Sequence, residues 1–363
     1  MRIALDGRVL NTPHLRGMGK ATLELLQQGI QTSDVSFAIL GDEPRFPVHS
    51  PQSDRISVHT WEVKGDRFRA WEQFGLPWRA RSLGCDVLHS LGTWCPYWQP
   101  VPTVVTVHDT VPWEEEQPSF FLNRLIPAAY ARSSAIIAIS ENTRRDVLNR
   151  WPRLADKLVV IPHGVSDRYL DSQIAPLPQA LIDVGVRPPY LLYFGGEIPR
   201  KRLQWAIDVW NELGRSDVRL VLAGLATPKE TPWRDPLPRH LQDLVIALEF
   251  VSETDMPSLY AHAEAVLYPT LYEGFGFPAV ESQASGVPVL MSSLGSLSEL
   301  IGPGAVVLPP HDLAAWVAAC HRILAGDKPD AAASRQWAQR FSWKRTFEQT
   351  LEVYQRAAMT KRP

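Results

Sequence analysis

Residues 265–281 read Ala-Val-Leu-Tyr-Pro-Thr-Leu-Tyr-Glu-Gly-Phe-Gly-Phe-Pro-Ala-Val-Glu. The apolar run Ala265–Tyr268 predicts a buried strand that ends at Pro269. Gly274 and Gly276 allow the backbone that follows to turn tightly. Pro278 predicts the first position of a helix, because the N–H that proline lacks would have no helical partner there. The stretch therefore predicts a strand, a tight loop and a helix in direct succession.

The start of this helix predicts an anion site. Its first N–H groups and its partial positive charge point back at the glycine loop. Glu273 lies in the loop, and we expect Glu281 in the first helical turn. A diphosphate at the helix end, with hydroxyl groups on the two carboxylates, fits a nucleotide sugar. The alternative is a plain turn followed by an acidic residue that complements the helix dipole.

Short apolar runs separated by helix-length amphipathic stretches extend along the whole chain. Runs that are apolar throughout favour parallel strands covered on both faces, and their alternation with helices indicates doubly wound α/β sheets. The first series is Ile3–Leu5, Phe37–Leu40, Val87–Leu88, Val104–Val107, Ile136–Ile139 and Leu158–Ile161. The second series is Leu191–Phe194, Leu220–Ala223, Val266–Tyr268, Val287–Met291 and Val306–Leu308. Two series predict two such sheets.

A proline-rich break separates the two series. We expect an N-terminal domain over residues 1–166, a connection over 167–188 with a short helical piece at Gln179–Val184, and a C-terminal domain over 189–342. The last stretch, 343–363, predicts an amphipathic helix with Phe347, Leu351 and Tyr354 at helical spacing.

Composition narrows the class of protein. The chain has 363 residues and a net charge of −2, so no overall field attracts nucleic acid. Its three cysteines match neither a disulfide framework nor a metal site, which indicates a reducing compartment. Residues 1–6 carry charge too early for a secretory signal, and no apolar run reaches the ~18 residues of a membrane span. We therefore expect a cytoplasmic location.

Two further glycine-containing segments follow predicted strands. Gly195-Gly196 precedes Arg200-Lys201 at the end of the second domain's first strand, where a basic pair is suited to a diphosphate. On a regular strand the two side chains would diverge, so we expect one clamp and one supporting group. Arg16–Lys20, with Gly17 and Gly19, predicts a loop before a helix over 21–28. It is neither a dinucleotide fingerprint nor a P-loop. A solvated basic pair on a surface turn explains the first segment equally well, and an ordinary mobile loop explains the second equally well.

Polar residues end three strands of the first series. His108-Asp109 follows Val104–Val107, at the edge of a sheet where functional side chains collect. Ser140 follows the next strand, where capping of a helix explains it. His163 occupies the same position after Leu158–Ile161. A structural histidine remains the alternative at positions 108 and 163.

Residues 64–82 mix basic and large aromatic side chains. Such a mixture suits a membrane surface. The alternative, which the pattern favours, is core aromatics beneath a solvated basic face. The residues concerned are Arg67, Phe68, Arg69, Trp71, Phe74, Trp78, Arg79 and Arg81.

Together these motifs resemble the retaining glycosyltransferases of family 4, over nearly the whole chain. The segment from Glu273 to Glu281 is similar to the family's signature, Pro199–Lys201 to its phosphate clamp, Arg16–Lys20 to its donor-side loop, and His108-Asp109 to its active-site histidine. The resemblance implies the GT-B fold, in which two Rossmann-like doubly wound domains face an interdomain cleft and the final helix packs back on the first domain.

The resemblance also implies roles. Glu281 would bind the ribose, Glu273 the transferred sugar, and the backbone of Gly274, Phe275, Gly276 and Phe277 the sugar and phosphate. Arg200 and Lys201 would neutralise the leaving diphosphate. Gly17, Gly19 and Gly196 would approach the donor, and His108 would act at the sugar. No metal or other cofactor is implied. Two residues depart from the family pattern. Arg202 occupies a position where Asn or Gly is usual, and His163 occupies one where Asn is usual.

The function implied is transfer of a hexose, with retention, to a glycan or lipid-linked acceptor in surface polysaccharide synthesis. GDP-mannose is the first expectation for the donor and a UDP-sugar the second. A peripheral contact with the inner face of the membrane is a further expectation. An epimerase of the same fold and a non-catalytic sugar-binding module are alternatives, whereas the missing glycine fingerprint disfavours a nicotinamide dehydrogenase.

Overall fold

The protein is represented by a computed structural model, which describes residues 1–62, 67–115, 119–225, 234 and 237–360. The chain divides into two compact units. Unit 1 comprises Met1–Gly164 together with Phe341–Pro363, and unit 2 comprises Val165–Arg340. The chain thus completes unit 2 before it returns to unit 1.

The strands of unit 1 are the apolar runs predicted from the sequence, with one addition. They are β1 (Arg2–Asp6), β2 (Ser36–Gly41), β3 (Ile56–Thr60), β4 (Val87–Ser90), β5 (Thr103–Val107), β6 (Ala135–Ala138) and β7 (Leu158–Val160). Within the described residues these seven strands pair in parallel in the order β3-β2-β1-β4-β5-β6-β7. The order winds outward in both directions from β1 and β4, which makes the sheet doubly wound. Every residue of β4 and β5 is buried, as strands covered on both faces require, and this includes the polar His89, Ser90, Thr103 and Thr106.

Helices cover this sheet between its strands. They are α1 (Gly17–Thr32), α2 (Leu76–Ser82), α3 (Pro112–Glu115), α4 (Ile126–Arg132) and α5 (Glu141–Arg150). Two π-helical turns, Arg67–Gly75 and Phe121–Leu125, run directly into α2 and α4. The hydroxyl of Ser140 accepts a hydrogen bond from the N–H of Thr143 at 3.0 Å, so it caps α5 as predicted.

Unit 2 repeats the same design. Its strands are β8 (Tyr190–Phe194), β9 (Arg219–Ala223), β10 (Val245–Leu248), β11 (Ala265–Tyr268), β12 (Val289–Met291) and β13 (Ala305–Val307). Over the described ranges they form one parallel sheet in the order β10-β9-β8-β11-β12-β13. Its helices are α6 (Gln179–Asp183), α7 (Leu203–Glu212), α8 (Arg239–Gln242), α9 (Met256–Ala261), α10 (Phe277–Ala284), α11 (Leu313–Leu324) and α12 (Ala331–Ala338).

The final helix, α13 (Trp343–Met359), completes the core of unit 1. Phe347 and Tyr354 are fully buried there beside strand residues such as Phe37. Gly164, the last residue before unit 2, lies so close to the backbone of Trp343 that a Cβ atom would overlap it. Glycine at position 164 therefore allows the departing and returning chain segments to meet.

The predicted class, α/β with two doubly wound sheets, is confirmed. The sequence patterns missed β3 and β10, which are edge strands with only part of their surface buried. An edge strand needs no continuous apolar run, because one flank and part of a face contact solvent. The stretch 167–188, expected as a connection, lies in unit 2, where it holds a turn at Asp167–Tyr169 and helix α6.

No helix within the described residues is both long and apolar enough to cross a lipid bilayer.

Candidate active site

The loop between β11 and α10 turns at Gly276. This residue has φ of 112°, in the left-handed region that favours glycine, and a Cβ atom there would lie 2.9 Å from the Leu297 side chain. Helix α10 starts at the next residue, so Pro278 is its second position and Glu281 its fifth. The expectation that Glu281 lies in the first turn is wrong, because the helix starts one residue before the proline from which it was counted.

A serine from the following segment holds the loop in place. The Ser296 hydroxyl lies 2.7 Å from the carbonyl oxygen of Glu273 and 2.9 Å from that of Phe275. Phe275 is buried and packs edge-on against Phe277, with ring centroids 5.3 Å apart. Side-chain bonds to loop carbonyls restrict the backbone before any ligand arrives, as a preorganised site requires.

Glu273 lies between two cations. Its Oε1 is 2.9 Å from Nζ of Lys201, and its Oε2 is 3.5 Å from a guanidinium nitrogen of Arg200. The three side chains are only 11%, 19% and 22% exposed, for Glu273, Lys201 and Arg200 respectively. Mutual pairing offsets the cost of removing three charges from water. The same pairing places two cations and a carboxylate beside the glycine loop.

Residues Pro199–Lys201 form a helical turn, not a strand. The Arg200 carbonyl accepts a hydrogen bond from the N–H of Leu271 at 2.9 Å, and its guanidinium donates to the Tyr272 carbonyl at 2.9 Å. The expectation that Arg200 and Lys201 diverge is therefore wrong. A turn does not alternate side chains between two faces as a strand does, so both basic groups reach Glu273.

The glycines that precede this turn are tightly packed. Gly196 has φ of 74°, and a Cβ atom there would lie 3.0 Å from the Gly224 carbonyl oxygen. The hydroxyl of the buried Tyr193 donates to the Gly196 carbonyl at 2.7 Å. Position 196 therefore requires glycine for backbone reasons alone, whatever it binds.

Glu281 contacts two buried tyrosines from other elements. The Tyr260 hydroxyl, on α9, donates to Oε2 of Glu281 at 2.8 Å. Tyr169 packs edge-on against Tyr260, with ring centroids 5.6 Å apart. Burial raises the pKa of both phenols well above the usual value, and the Glu281 carboxylate raises each further. Neither tyrosine is predicted from the sequence, because no spacing in the chain connects residues 169, 260 and 281.

In unit 1, His108 lies at the carboxyl end of β5 together with two other histidines. Its Nε2 donates to the Leu91 carbonyl at 2.8 Å, so the neutral ring has its acceptor at Nδ1. The His163 ring lies 5.5 Å from that of His108. His89, which no sequence motif predicts, pairs through Nδ1 with the Tyr354 hydroxyl at 2.6 Å and through Nε2 with the Thr106 hydroxyl at 2.8 Å.

The three histidines line a cavity of about 30 Å³ with residues of α1 and α13. The sequence contains a weak indication of His89 as a site residue, since it follows the apolar pair Val87–Leu88 as His108 follows β5.

Within the described residues no group of three or more metal-ligating side chains is arranged to hold an ion.

The predicted loop at Arg16–Lys20 is wrong, because α1 begins at Gly17. A Cβ atom at Gly19 would lie 2.5 Å from the Val9 carbonyl oxygen and 2.8 Å from the Leu15 side chain. Two glycines suggested a loop, but Gly19 is required for close packing of the first helical turn on the backbone.

Two family models match the chain. Residues 16–169 match the model for Glycosyltransferase Family 4, and residues 188–326 match the model for Glycosyl transferases group 1. The chain belongs to glycosyltransferase family 4. Together the two models cover most of each unit, and the segments 16–20, 199–201 and 273–281 each lie inside one of them.

Relatives and solved structures agree with this membership. The chain is 28% identical over 247 residues to O-antigen chain mannosyltransferase B of Escherichia coli, covering 64% of each protein. It is 29% identical over 258 residues to D-inositol 3-phosphate glycosyltransferase of Kineococcus radiotolerans, covering 62% of this chain and 58% of that protein. These matches thus span less than two thirds of the relatives' lengths.

The fold is the GT-B fold of glycosyltransferases. Sucrose-phosphate synthase from Thermosynechococcus elongatus superposes with a TM-score of 0.77 at 19% identity, over 99% of this chain and 100% of that one. HepE of Anabaena, solved with UDP and glucose, superposes with a TM-score of 0.74 at 18% identity, over 98% and 99%. The resemblance inferred from the motifs is confirmed at the level of family and fold.

The departure from the family pattern at Arg202 has a backbone explanation. Arg202 has φ of 54°, a left-handed conformation that Gly and Asn adopt most readily. Its guanidinium donates to the Pro310 carbonyl and stacks on Trp205, 3.9 Å from the ring centroid. These contacts stabilise an arginine where the family usually has a residue suited to this conformation.

The histidine cluster predicts a pH dependence of stability. Burial lowers the pKa of His89 to about 3 and that of His108 to about 4, so both are neutral in the folded unit near pH 6. In the unfolded chain they bind protons below about pH 6.5. The unfolded state therefore gains protons first, and stability falls as pH drops from about 6.5 towards 4.

The free energy of unfolding should fall between pH 7.5 and pH 5.5, and in His89→Gln this fall should be smaller by about 1.4 kcal/mol. Urea unfolding at both pH values measures this, with the exposed His321→Gln as the control. An unchanged pH dependence in His89→Gln would contradict the assignment.

Proposed function

We propose that the chain transfers a hexose from a nucleoside diphosphate sugar to a glycan or lipid-linked acceptor, with retention of configuration. The observation that carries this proposal is Glu273, held between Lys201 and Arg200 at the loop before α10. Cations beside a helix N-terminus suit a diphosphate, and a carboxylate beside them suits sugar hydroxyls. Membership of family 4 supports the same activity.

GDP-mannose is the first donor we propose. Several relatives bear the name mannosyltransferase, among them two O-antigen chain mannosyltransferases at 28% and 25% identity. Their names also support a role in surface polysaccharide synthesis. A UDP-sugar is the second candidate, since HepE was solved with UDP and glucose.

Different residues of unit 2 would bind different parts of the donor. Glu281 would accept hydrogen bonds from the ribose hydroxyls, and Glu273 from those of the transferred hexose. The backbone of Gly274–Phe277 would hold the sugar and phosphate, with Gly196 allowing close approach. As the bond from the sugar's C1 to the diphosphate oxygen breaks, negative charge builds on the diphosphate. Arg200 and Lys201 would stabilise that charge.

The residues of unit 1 have more general roles in the proposal. His108 would contact the hexose, for which its neutral ring offers an acceptor at Nδ1. Gly17, at the start of α1, would let backbone approach the donor phosphates, and Gly19 would support that turn by its packing on Val9. Two cations and a helix N-terminus already supply positive charge, so we expect turnover without an added metal ion.

Labelled sugar nucleotides test the function. The chain is incubated with GDP-mannose and then with UDP-sugars, with and without EDTA. A transferase hydrolyses its donor slowly in the absence of acceptor, an epimerase converts the donor sugar, and a binding module changes nothing. Slow hydrolysis that survives EDTA supports the proposal. Epimerised donor, or tight binding without any turnover, contradicts it.

The two glutamates should have separable effects. Ribose contacts persist from the ground state to the transition state, so Glu281→Ala should weaken donor binding and raise KM with little change in kcat. Contacts to the hexose change as it becomes oxocarbenium-like, so Glu273→Ala should mainly lower kcat. Calorimetric titration with GDP and steady-state kinetics measure both effects. Undiminished nucleotide binding by Glu281→Ala would count against its assignment.

Lys201 should contribute mainly to the transition state. A preorganised donor at a developing charge is worth about 3–4 kcal/mol, so Lys201→Ala should lower kcat by about 10²–10³. Lys328→Ala, which removes a surface pair with Glu264, is the control. Loss of turnover in Arg200→Ala alone would reverse the two roles, and full activity in both variants would place the site elsewhere.

We also propose that a surface of unit 1 contacts an anionic membrane, where a lipid-linked acceptor would reside. The predicted stretch 64–82 is only partly described: residues 64–66 and the side chains of Arg67 and Phe68 lie outside the description. Trp71 is buried, as the core alternative expects. Phe74 and Trp78, however, are 68% and 50% exposed, which favours the surface interpretation for them.

Neighbouring segments extend this surface. Arg69 lies over the Phe121 ring at 5.3 Å, and the N–H of Tyr97 donates to the Gln73 side chain at 2.8 Å. Trp98 and Phe120, in these segments, are 42% and 77% exposed. Aromatic side chains with adjacent arginines match the apolar and anionic layers of a lipid surface.

Vesicle sedimentation tests the contact. The chain should bind phosphatidylglycerol vesicles more strongly than phosphatidylcholine vesicles, and Phe74→Ser with Trp78→Ser should weaken binding about tenfold. Phe250→Ser, an exposed aromatic of unit 2, is the matched control. Equal binding by the control and the double variant would contradict the proposal.

A further inference from the structure

The Glu281 carboxylate is part of a small network of buried tyrosines. Tyr260 comes from α9, Tyr169 from the turn that opens unit 2, and Glu281 from α10. Three separate elements thus meet at one side chain that is itself partly exposed. The Tyr260 hydroxyl donates to Glu281 at 2.8 Å, and Tyr169 packs across the Tyr260 ring at an interplanar angle of 79°.

We propose that Tyr260, supported by Tyr169, is a positioning residue that fixes the Glu281 carboxylate in the orientation that accepts the ribose hydroxyls of the donor. This inference rests on the proposed function, because it deepens the role of Glu281 within the same site. It adds two residues that touch no substrate and act only through the glutamate.

The chemistry of the pair suits this role. A phenol donates one hydrogen bond, whereas a carboxylate offers about four acceptor sites on two oxygens. One bond from Tyr260 therefore orients the carboxylate while acceptor capacity remains for a ligand. Because burial and the neighbouring carboxylate raise the pKa of both phenols, each keeps its proton throughout the working pH range.

Other buried tyrosines of unit 2 show what a purely structural hydroxyl does. Tyr190 donates to the Leu259 carbonyl at 2.6 Å, and Tyr193 donates to the Gly196 carbonyl at 2.7 Å. Both acceptors are backbone atoms. Tyr260 differs because its acceptor is a carboxylate side chain, which has rotamers that a backbone carbonyl lacks. Fixing such a group in advance removes the entropy that a ligand would lose in ordering it.

The test combines one hydroxyl deletion in the protein with deletion of the hydroxyls in the ligand. Tyr260→Phe removes only the bond to Glu281. GDP and 2′,3′-dideoxy-GDP are titrated calorimetrically, and the UDP pair is used in the same way. Tyr190→Phe is the matched control, because it removes a buried tyrosine bond to α9 without involving Glu281. Thermal unfolding confirms that each variant is folded.

We expect Tyr260→Phe to weaken GDP binding about tenfold and to leave dideoxy-GDP binding unchanged. Tyr169→Leu, which removes the ring that packs on Tyr260, should act in the same direction with a smaller effect, and Tyr190→Phe should change neither ligand. In kinetics, KM for the donor should rise about tenfold while kcat stays within about threefold, because the ribose contact is the same in both states.

Four other outcomes overturn the inference. Equal weakening of both ligands by Tyr260→Phe would show a structural role, and no weakening of either would show no role. In both cases the proposed function stands. If the wild-type chain binds GDP and dideoxy-GDP equally, or binds neither nucleotide pair, the assignment of Glu281 within the proposed function falls together with this inference.

Discussion

The parallel pairing of β8 with β11 is the constraint on which the site of unit 2 depends. Parallel neighbours end at the same edge of a sheet, so the segments that follow them are brought together however far apart they are in sequence. The turn after β8 carries Arg200 and Lys201, and the loop after β11 carries Glu273. Bonds between the segments, such as that from the Leu271 N–H to the Arg200 carbonyl, then fix their separation.

Charge compensation gives this contact a second consequence. Burying Glu273, Lys201 or Arg200 singly would be costly, but the three together nearly satisfy one another. The arrangement retains one excess positive charge beside the N-terminus of α10. Tyr268 is buried near the cluster, and burial and the Glu273 carboxylate raise the pKa of its phenol, so it stays neutral. The local field is therefore set by side chains that are already in place, which limits reorganisation when charge moves.

The sequence predicts the central strands and the signature glutamates because both depend on local patterns. A strand buried on two faces must be apolar throughout, and Gly276 must be glycine where φ is positive. What the patterns missed depends on contacts between distant elements. The partners of Glu281 come from two other elements. His89 is part of the histidine cluster through its hydrogen bond with Tyr354 on the last helix. The sequence pattern predicts Gly19 as a loop glycine, but it is required for helix packing. Contacts between residues far apart in sequence leave no periodic pattern from which they could be predicted.

The return of α13 to unit 1 has a consequence for synthesis on the ribosome. Phe347 and Tyr354 belong to the same core as strand residues of β1 and β2, yet they emerge only after the whole of unit 2. Unit 2 is contiguous in sequence and can reach its native packing while translation continues. The core of unit 1, most of which is synthesised earlier, stays incomplete until α13 has been synthesised. The usual order of co-translational folding is therefore reversed, and the nascent first unit is the species that chaperones would need to shield.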